Sequence, residues 1–300
     1  MMNALLDDYI KQIGNIWDNK SNPDTVNQRI HWWDSPKLIR HMNYLICGEE
    51  LDGWNTATIK ELKKIRNRYE LAVSVGCGSG GKEMQLLEQG IVERFICFEL
   101  SEERIKIGTR NAKIRGLDDR IQFFYGDFFC SNWVNKKYDL VFWDNSLHHM
   151  PDTYEAVKVS RNILKDDGVL FCNEYIGESR FQWSDEKLAY VNQIRDDLDE
   201  SLFHVGDEIF PRHRKRPTIE RMMQSDPSEA ADSANILPAI KRYFKEPRIT
   251  MLGGTVHLLI LDRMIQNIPE NSELLEQLIA ADDEAIKKGM SMYAFILTQK

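Results

Sequence analysis

The segment Val73-Ser-Val-Gly76-Cys77-Gly78-Ser79-Gly80-Gly81 concentrates glycine between an apolar run and a helical pattern. Glycine is needed where a chain turns tightly and brings its backbone close to a ligand. Twenty-three residues after Gly76, Glu99 closes the next apolar run, and an acid there can accept hydrogen bonds from both hydroxyls of an adenosine ribose. A second set, Asp144-Asn145-Ser146-Leu147-His148-His149-Met150-Pro151-Asp152, leaves a further apolar run. A histidine with a pKa near ~6.5 is the natural base at neutral pH, which makes His148 and His149 candidates for proton transfer. Glu174 and Tyr175 end the following run, and Arg180-Phe-Gln-Trp183 offers an aromatic wall with one charged handle. The densest basic stretch, Arg212-His213-Arg214-Lys215-Arg216, would suit a phosphate on a ligand.

These residues have to be placed by a scaffold, and its pattern is legible. Leu71–Val75, Phe95–Phe98, Ile121–Tyr125, Tyr138–Trp143 and Gly168–Asn173 read as strands, with helical patterns between them. Strands that are almost continuously apolar and alternate with helices predict a parallel sheet covered on both faces. In such sheets ligands bind beyond the carboxyl ends of the strands, where the glycine turn, Glu99, Asp144 and Glu174 all fall. Residues 1–69 read as helices: Leu5, Leu6, Tyr9, Ile10, Ile13 and Trp17 recur at helical spacing, and a break at Asn22-Pro23-Asp24 precedes Val26, Ile30 and Trp33. Ser35-Pro36 starts another helix, with a serine cap and proline at its first position. Residues 176–245 are polar and mostly helical, broken by Pro211, Pro217, Pro227 and Pro238. A strand-like Arg248–Leu252, helical patterns and a final run Tyr293–Leu297 follow.

Five landmarks in order carry a resemblance to the class I S-adenosylmethionine-dependent methyltransferases. They are Val75-Gly-Cys-Gly-Ser-Gly80, Phe98-Glu99-Leu100-Ser101, Gly126-Asp127-Phe128, Asp139-Leu-Val-Phe-Trp-Asp144 and Leu164-Lys-Asp-Asp-Gly168-Val-Leu-Phe. The resemblance implies a doubly wound, Rossmann-like α/β domain of seven mostly parallel strands, the last antiparallel and formed by Tyr293–Thr298. It assigns the methionyl part of S-adenosylmethionine to Gly76, Cys77, Gly78, Ser79 and Gly80, and the ribose to Glu99, with Leu100 also among the cofactor-binding residues. Asp127 and Phe128 would meet the adenine, and Asp144 and Asn145 would line the methionine end. His148 resembles the base of O-methyltransferases with a Leu-His-Asp-x-x-Asp segment, although His149 replaces the aspartate here. Outer segments resemble a bacterial subset associated with surface-glycan assembly: Trp32-Trp33-Asp-Ser-Pro36, Glu174-Tyr-Ile-Gly-Glu-Ser-Arg-Phe-Gln-Trp183, Asp226-Pro-Ser-Glu-Ala230 and Gly253-Gly-Thr-Val-His257.

The expected organisation is a helical cover (1–69), a cofactor-binding core (70–175 and 246–300) and a helical cap over the acceptor (176–245). The expected reaction is methyl transfer to an oxygen of a small molecule or glycan precursor, including phosphorylated or nucleotide-linked ones. Glu174, Tyr175, Arg180, Trp183, Arg212, Arg216 and His257 would meet that acceptor. An N-methyltransferase is the near alternative. A nicotinamide oxidoreductase shares the G-x-G-x-x-G spacing, and a binding-only module would share the cofactor. With 39 basic and 47 acidic residues the formal charge is −8, without the basic footprint of a nucleic-acid binder. The five cysteines form no C-x-x-C pair, and no residue set suggests a metal. Asp7, Asp8 and Lys11 interrupt any signal-peptide core, and no apolar run nears the ~20 residues of a membrane span, so the expected location is the cytoplasm.

Overall fold

The computed structural model describes residues 2–21 and 31–300. The expected break at Asn22-Pro23-Asp24 and the pattern through Val26 and Ile30 lie outside the described residues. Five strands run β1 (Tyr69–Val75), β2 (Val92–Glu99), β3 (Ile121–Tyr125), β4 (Tyr138–Asp144) and β5 (Leu164–Tyr175), followed by β6 (Arg248–Met251) and β7 (Tyr293–Gln299). They form one seven-stranded sheet in the order β3-β2-β1-β4-β5-β7-β6. Only β7 runs against the direction of the other six strands, pairing Phe171 with Leu297 on one side and Ile249 with Ile296 on the other. The chain therefore winds outward from β1 to β3, then returns to start again at β4, and a crevice opens where the β1 and β4 ends diverge.

Neighbouring residues of each strand serve opposite faces. Leu140 and Phe142 join the core on one side with Phe95, Phe171 and Phe295, while Val141 and Trp143 join the other with Ile96, Leu170 and Ile296. Both faces are dry, which is why the strands read as unbroken apolar runs. The fifth strand is longer than the sequence reading because Tyr138 pairs with Leu164 before a register shift carries Leu140 to Val169.

Helices α1 (Met2–Ser21), α2 (Pro36–Cys47), α3 (Thr56–Ile65), α4 (Gly81–Glu88), α5 (Glu102–Ile114), α6 (Thr153–Ile163), α7 (Asp185–Asp196), α8 (Ile219–Ser225), α9 (Ile236–Tyr243) and α10 (Glu273–Lys287) complete the structure. Two boundaries differ from the sequence reading. The 176–245 stretch holds a short hairpin, His204–Val205 with Glu208–Ile209. Its last helix, α9, buries Ile236, Ala239 and Ile240 against the sheet core, so the insertion ends before α9.

Helix α1 is tied across two parts of the molecule. Asp18 accepts from Ser101 Oγ (2.5 Å) and Glu103 N (3.0 Å) at the start of α5, while Tyr9 Oη donates to Pro227 O (3.2 Å) in the insertion. Gly14 permits the approach, since a Cβ there would lie 2.4 Å from Leu100 O. Gly14→Ala should overpack this contact by about 1–3 kcal/mol. Hydrogen exchange should then show α1 amides losing protection while β1 and β4 amides keep theirs; unchanged α1 protection would contradict the docking role assigned to Gly14.

Candidate active site

The glycine turn begins where β1 ends. Gly76 has φ +70°, and a Cβ on it would sit 2.8 Å from Ser146 Cβ; Gly80 has φ +71° and would meet Phe123 at 2.7 Å. A side chain at either position would clash in a backbone region that already disfavours one. The turn lays Gly78 N against Glu99 Oε2 (2.7 Å), while Glu99 Oε1 accepts from Leu100 N (2.7 Å) and Ser101 N (3.0 Å). Three backbone donors thus hold one buried carboxylate at the mouth of β2. Gly76, Glu99, Leu100, Asp127 and Phe128 line a narrow pocket of about 110 Å³, closed by Ile13 and Trp17 of α1. Its apolar wall is Phe98, stacked on Phe124 and edge-on to Phe128. Asp127 caps the following turn, accepting from Phe129 N at 2.9 Å.

A larger cavity, about 1110 Å³, continues from this pocket and takes in Cys77, Gly78, Ser79, Lys82, Asp144 and Asn145. Lys82 Nζ, Asn145 Nδ2 and Asn173 Nδ2 all point to Asp144 Oδ1. Asp144 Oδ2 is buried without a hydrogen-bond partner. Burial raises the Asp144 pKa, opposed by Lys82 and assisted by the charge of Glu174. A buried acceptor lacking a donor is costly, and a cationic ligand group beside it would remove that cost.

At the other end of the cavity, Glu174 is fully buried. Its Oε1 accepts from Ser146 N (2.8 Å) and Leu147 N (2.7 Å), and its Oε2 from His148 N (3.3 Å) and His148 Nδ1 (2.7 Å). The single turn Leu147–His149 is folded around this carboxylate. Since an ionised carboxylate only accepts, Nδ1 of His148 carries the hydrogen and Nε2 keeps its lone pair. Burial pulls the His148 pKa down, but the hydrogen bond and charge of Glu174, with Glu229 and Asp226 beyond, leave it above the ordinary histidine value. His149 lies beside it, ring centroids 4.2 Å apart, with Nδ1 at 3.0 Å from Ser228 Oγ. Trp32, Trp33, Trp54, Phe181 and Tyr293 form the aromatic wall, and Asp226, Glu229 and Asp262 face the same space.

Several expected acceptor contacts fall elsewhere. Glu174 sits behind His148 rather than in the cleft. Tyr175 is buried, donating to Glu178 O at 3.2 Å, and Trp183 is stacked behind Phe181, which lines the cavity in its place. Arg180 donates to Pro227 O (2.5 Å) and Glu229 O (3.2 Å), so it braces the Asp226–Ala230 loop instead of a ligand. Arg212 donates to the carbonyls of Arg195 (3.0 Å) and Leu198 (2.6 Å), and Arg216 binds Trp183 O and Asp185. Neither lines the cavity, because the irregular loops around them leave carbonyls that only long donors reach. His257 is buried behind Trp32, 3.3 Å from Asp282, and burial lowers its pKa. Conversely, Trp17, Lys82, Ser228 and Glu229 belong to the site although none stood out as a site residue. The quoted Asp226-Pro-Ser-Glu-Ala230 segment was the available signal for the last two.

The profile of a methyltransferase-domain family matches residues 72–218. Among curated relatives, 27-O-demethylrifamycin SV methyltransferase of Amycolatopsis mediterranei is 25% identical over 104 residues, covering 35% of this chain and 38% of its own. Demethylmenaquinone methyltransferase of Lactobacillus johnsonii is 25% identical over 128 residues, covering 42% and 52%. The chain thus spans about half or less of these relatives' lengths. The fold is also that of geranyl diphosphate C-methyltransferase from Streptomyces coelicolor A3(2), in a complex with Mg2+, geranyl diphosphate and S-adenosyl-L-homocysteine; that match has 17% identity, 97% coverage of both chains and a TM-score of 0.53. With this sheet order and glycine turn, residues 72–218 form a methyltransferase domain of the class I S-adenosylmethionine-dependent type. S-adenosylmethionine is accordingly its cofactor, and a nicotinamide reading of the glycine turn is set aside. The residues fit it: Glu99 offers paired acceptors, and Asp144 Oδ2 lacks the donor that an α-ammonium brings.

Glu99→Ala should weaken binding of S-adenosylhomocysteine at least thirtyfold, about 2 kcal/mol for lost charge-assisted hydrogen bonds. Calorimetry giving an unchanged Kd would remove Glu99 from the ribose site. A second outcome concerns Glu83, buried at the start of α4 with Ser74 Oγ donating to it at 2.6 Å. Burial lifts its pKa from 4.5 to about 7, with the Ser74 hydrogen bond opposing and the charge of Asp144 assisting. The folded state therefore favours the protonated acid, a contribution present in full below about 4.5 and lost as pH rises through about 7. Glu83→Gln should abolish that loss, so its stability relative to the parent should be greater at alkaline than at acid pH, by on the order of 3 kcal/mol at most, and its Tm should shift in the same sense. A pH-independent Tm difference would show that Glu83 titrates normally.

Proposed function

We propose that the protein methylates a hydroxyl oxygen of a small, neutral, polyhydroxylated acceptor such as a glycan precursor, with His148 as the base. The carrying observation is the Glu174–His148 pair, in which a buried carboxylate fixes the Nδ1–H tautomer and turns Nε2 toward the cavity. S-adenosylmethionine, when bound, supplies an electrophilic methyl group on a sulfonium. The chain's own residues align the acceptor and take its proton. Alignment matters because displacement at carbon requires nucleophile, carbon and leaving group in line. Nε2 accepts the hydroxyl proton as the oxygen attacks, and Glu174 stabilises the resulting imidazolium. A neutral amine would need no such base, which favours oxygen over nitrogen; the relative named for a 27-O-demethyl substrate supports the same choice.

The wall supports the acceptor class. Aromatic rings such as Trp32, Trp54 and Tyr293 suit the C–H faces of a sugar, and Asp226, Glu229 and Asp262 suit its hydroxyl donors. The phosphate expected at the basic run loses its support, because Arg212 and Arg216 are engaged within the protein. No described helix is long and apolar enough to cross a membrane, and all five cysteines are thiols, which accords with a cytoplasmic enzyme acting on soluble precursors.

Labelled methyl transfer to a panel of free sugars, with nucleotide-activated sugars as the charged contrast, tests the reading. His148→Ala should slow kcat roughly 10²–10⁴-fold with S-adenosylhomocysteine affinity nearly intact. Glu174→Gln should keep the turn but face His148 Nδ1 with an amide N–H, reversing the tautomer and lowering kcat on the order of a hundredfold or more. Undiminished turnover in His148→Ala would refute the base assignment.

A further inference from the structure

We propose that His148, His149 and Glu229 form a binding site for one divalent first-row transition ion, of which Zn2+ is the type. One ring nitrogen of each histidine and a carboxylate oxygen of Glu229 lie within 4.8 Å of one another. The distance from His148 Nε2 to Glu229 Oε1 is 3.6 Å. Two ligand atoms each about 2.1 Å from a tetrahedral ion stand roughly 3.4 Å apart, so a shift of tenths of an ångström closes this edge.

The hydrogen-bond partners on the far side of each ring set the tautomers. Glu174 accepts the Nδ1 hydrogen of His148. Ser228 Oγ gives its only hydrogen to the buried Asp226 Oδ1 at 2.6 Å, so toward His149 Nδ1 at 3.0 Å it must accept. Both imidazoles therefore carry hydrogen on Nδ1 and a lone pair on Nε2. Carboxylate-supported imidazoles are the usual outer arrangement around histidine-bound metals.

Two imidazoles with one carboxylate favour zinc, nickel, cobalt or iron over magnesium and calcium, which prefer all-oxygen shells. All three residues line the large cavity, so a fourth ligand position opens toward the acceptor space. No spacing in the sequence forecasts the set, since Glu229 lies eighty residues beyond His149. Resting on the base assignment above, the consequence is inhibitory: an ion on Nε2 occupies the lone pair that takes the acceptor proton. The metal-loaded enzyme should turn over slowly until a chelator removes the ion.

The test needs no acceptor. Metal-free protein titrated with Co2+ should develop the visible absorption of a low-symmetry nitrogen–oxygen site, saturating at one ion per chain, with Zn2+ bleaching it. His149→Ala and Glu229→Gln should each weaken Co2+ binding at least a hundredfold while S-adenosylhomocysteine uptake shows that they fold. A parent protein that develops no absorption, or two variants that bind Co2+ as the parent does, would overturn the site. Either result would leave the base assignment untouched, which stands or falls on His148→Ala turnover without metal.

Discussion

The Glu174 carboxylate is the constraint around which the carboxyl ends of β4 and β5 are organised. It is fully buried at the end of β5, and four N–H groups from Ser146, Leu147 and His148 converge on it. A charge taken out of water needs such company, and here the donors come from the turn that leaves the neighbouring strand β4. The one group thus shapes the Leu147–His149 turn, ties the carboxyl ends of two strands and selects the tautomer of His148. The same side chain that stabilises the fold decides which imidazole nitrogen faces the cavity.

The cofactor half follows a parallel logic with Glu99. Its carboxylate gathers the turn after β1 and the start of the chain after β2, so the glycine turn is held from the side that a nucleoside ribose would occupy. The pocket is completed by a helix remote from the sheet in sequence. Trp17 of α1 lies edge-on to His149 and beneath the Arg104 guanidinium, 4.2 Å from its ring centre. The narrow pocket and the larger cavity consequently share a wall, to which Trp17 of α1 belongs.

The insertion is built differently. Its backbone is irregular, and arginines take the place of regular hydrogen-bond ladders. Arg195 reaches Pro211 O, Arg212 O and Leu259 O, while Arg214 reaches Leu258 O and Leu259 O. Buried carbonyls require donors, and a guanidinium serves several at once. The basic run is therefore internal bracing for an acidic protein, leaving the cavity to aromatic rings and carboxylates.

How far the chain was legible depends on the range of the interactions concerned. The seven strands, the glycine turn and the positions of Glu99 and His148 at strand ends were readable because unbroken apolar runs and the need for positive φ at Gly76 and Gly80 are properties of a few adjacent residues. The roles of Glu174, Arg212, Arg216 and His257 were misread because a long polar side chain takes whichever partner the fold leaves unsatisfied. Glu229 was missed as a neighbour of His148 for the same reason: Arg180 holds its loop in place across the insertion. Local sequence alone determined the scaffold and where its ligand edge lies. Only tertiary structure decided which charged groups face that edge, because their partners exist only after distant backbone segments have met.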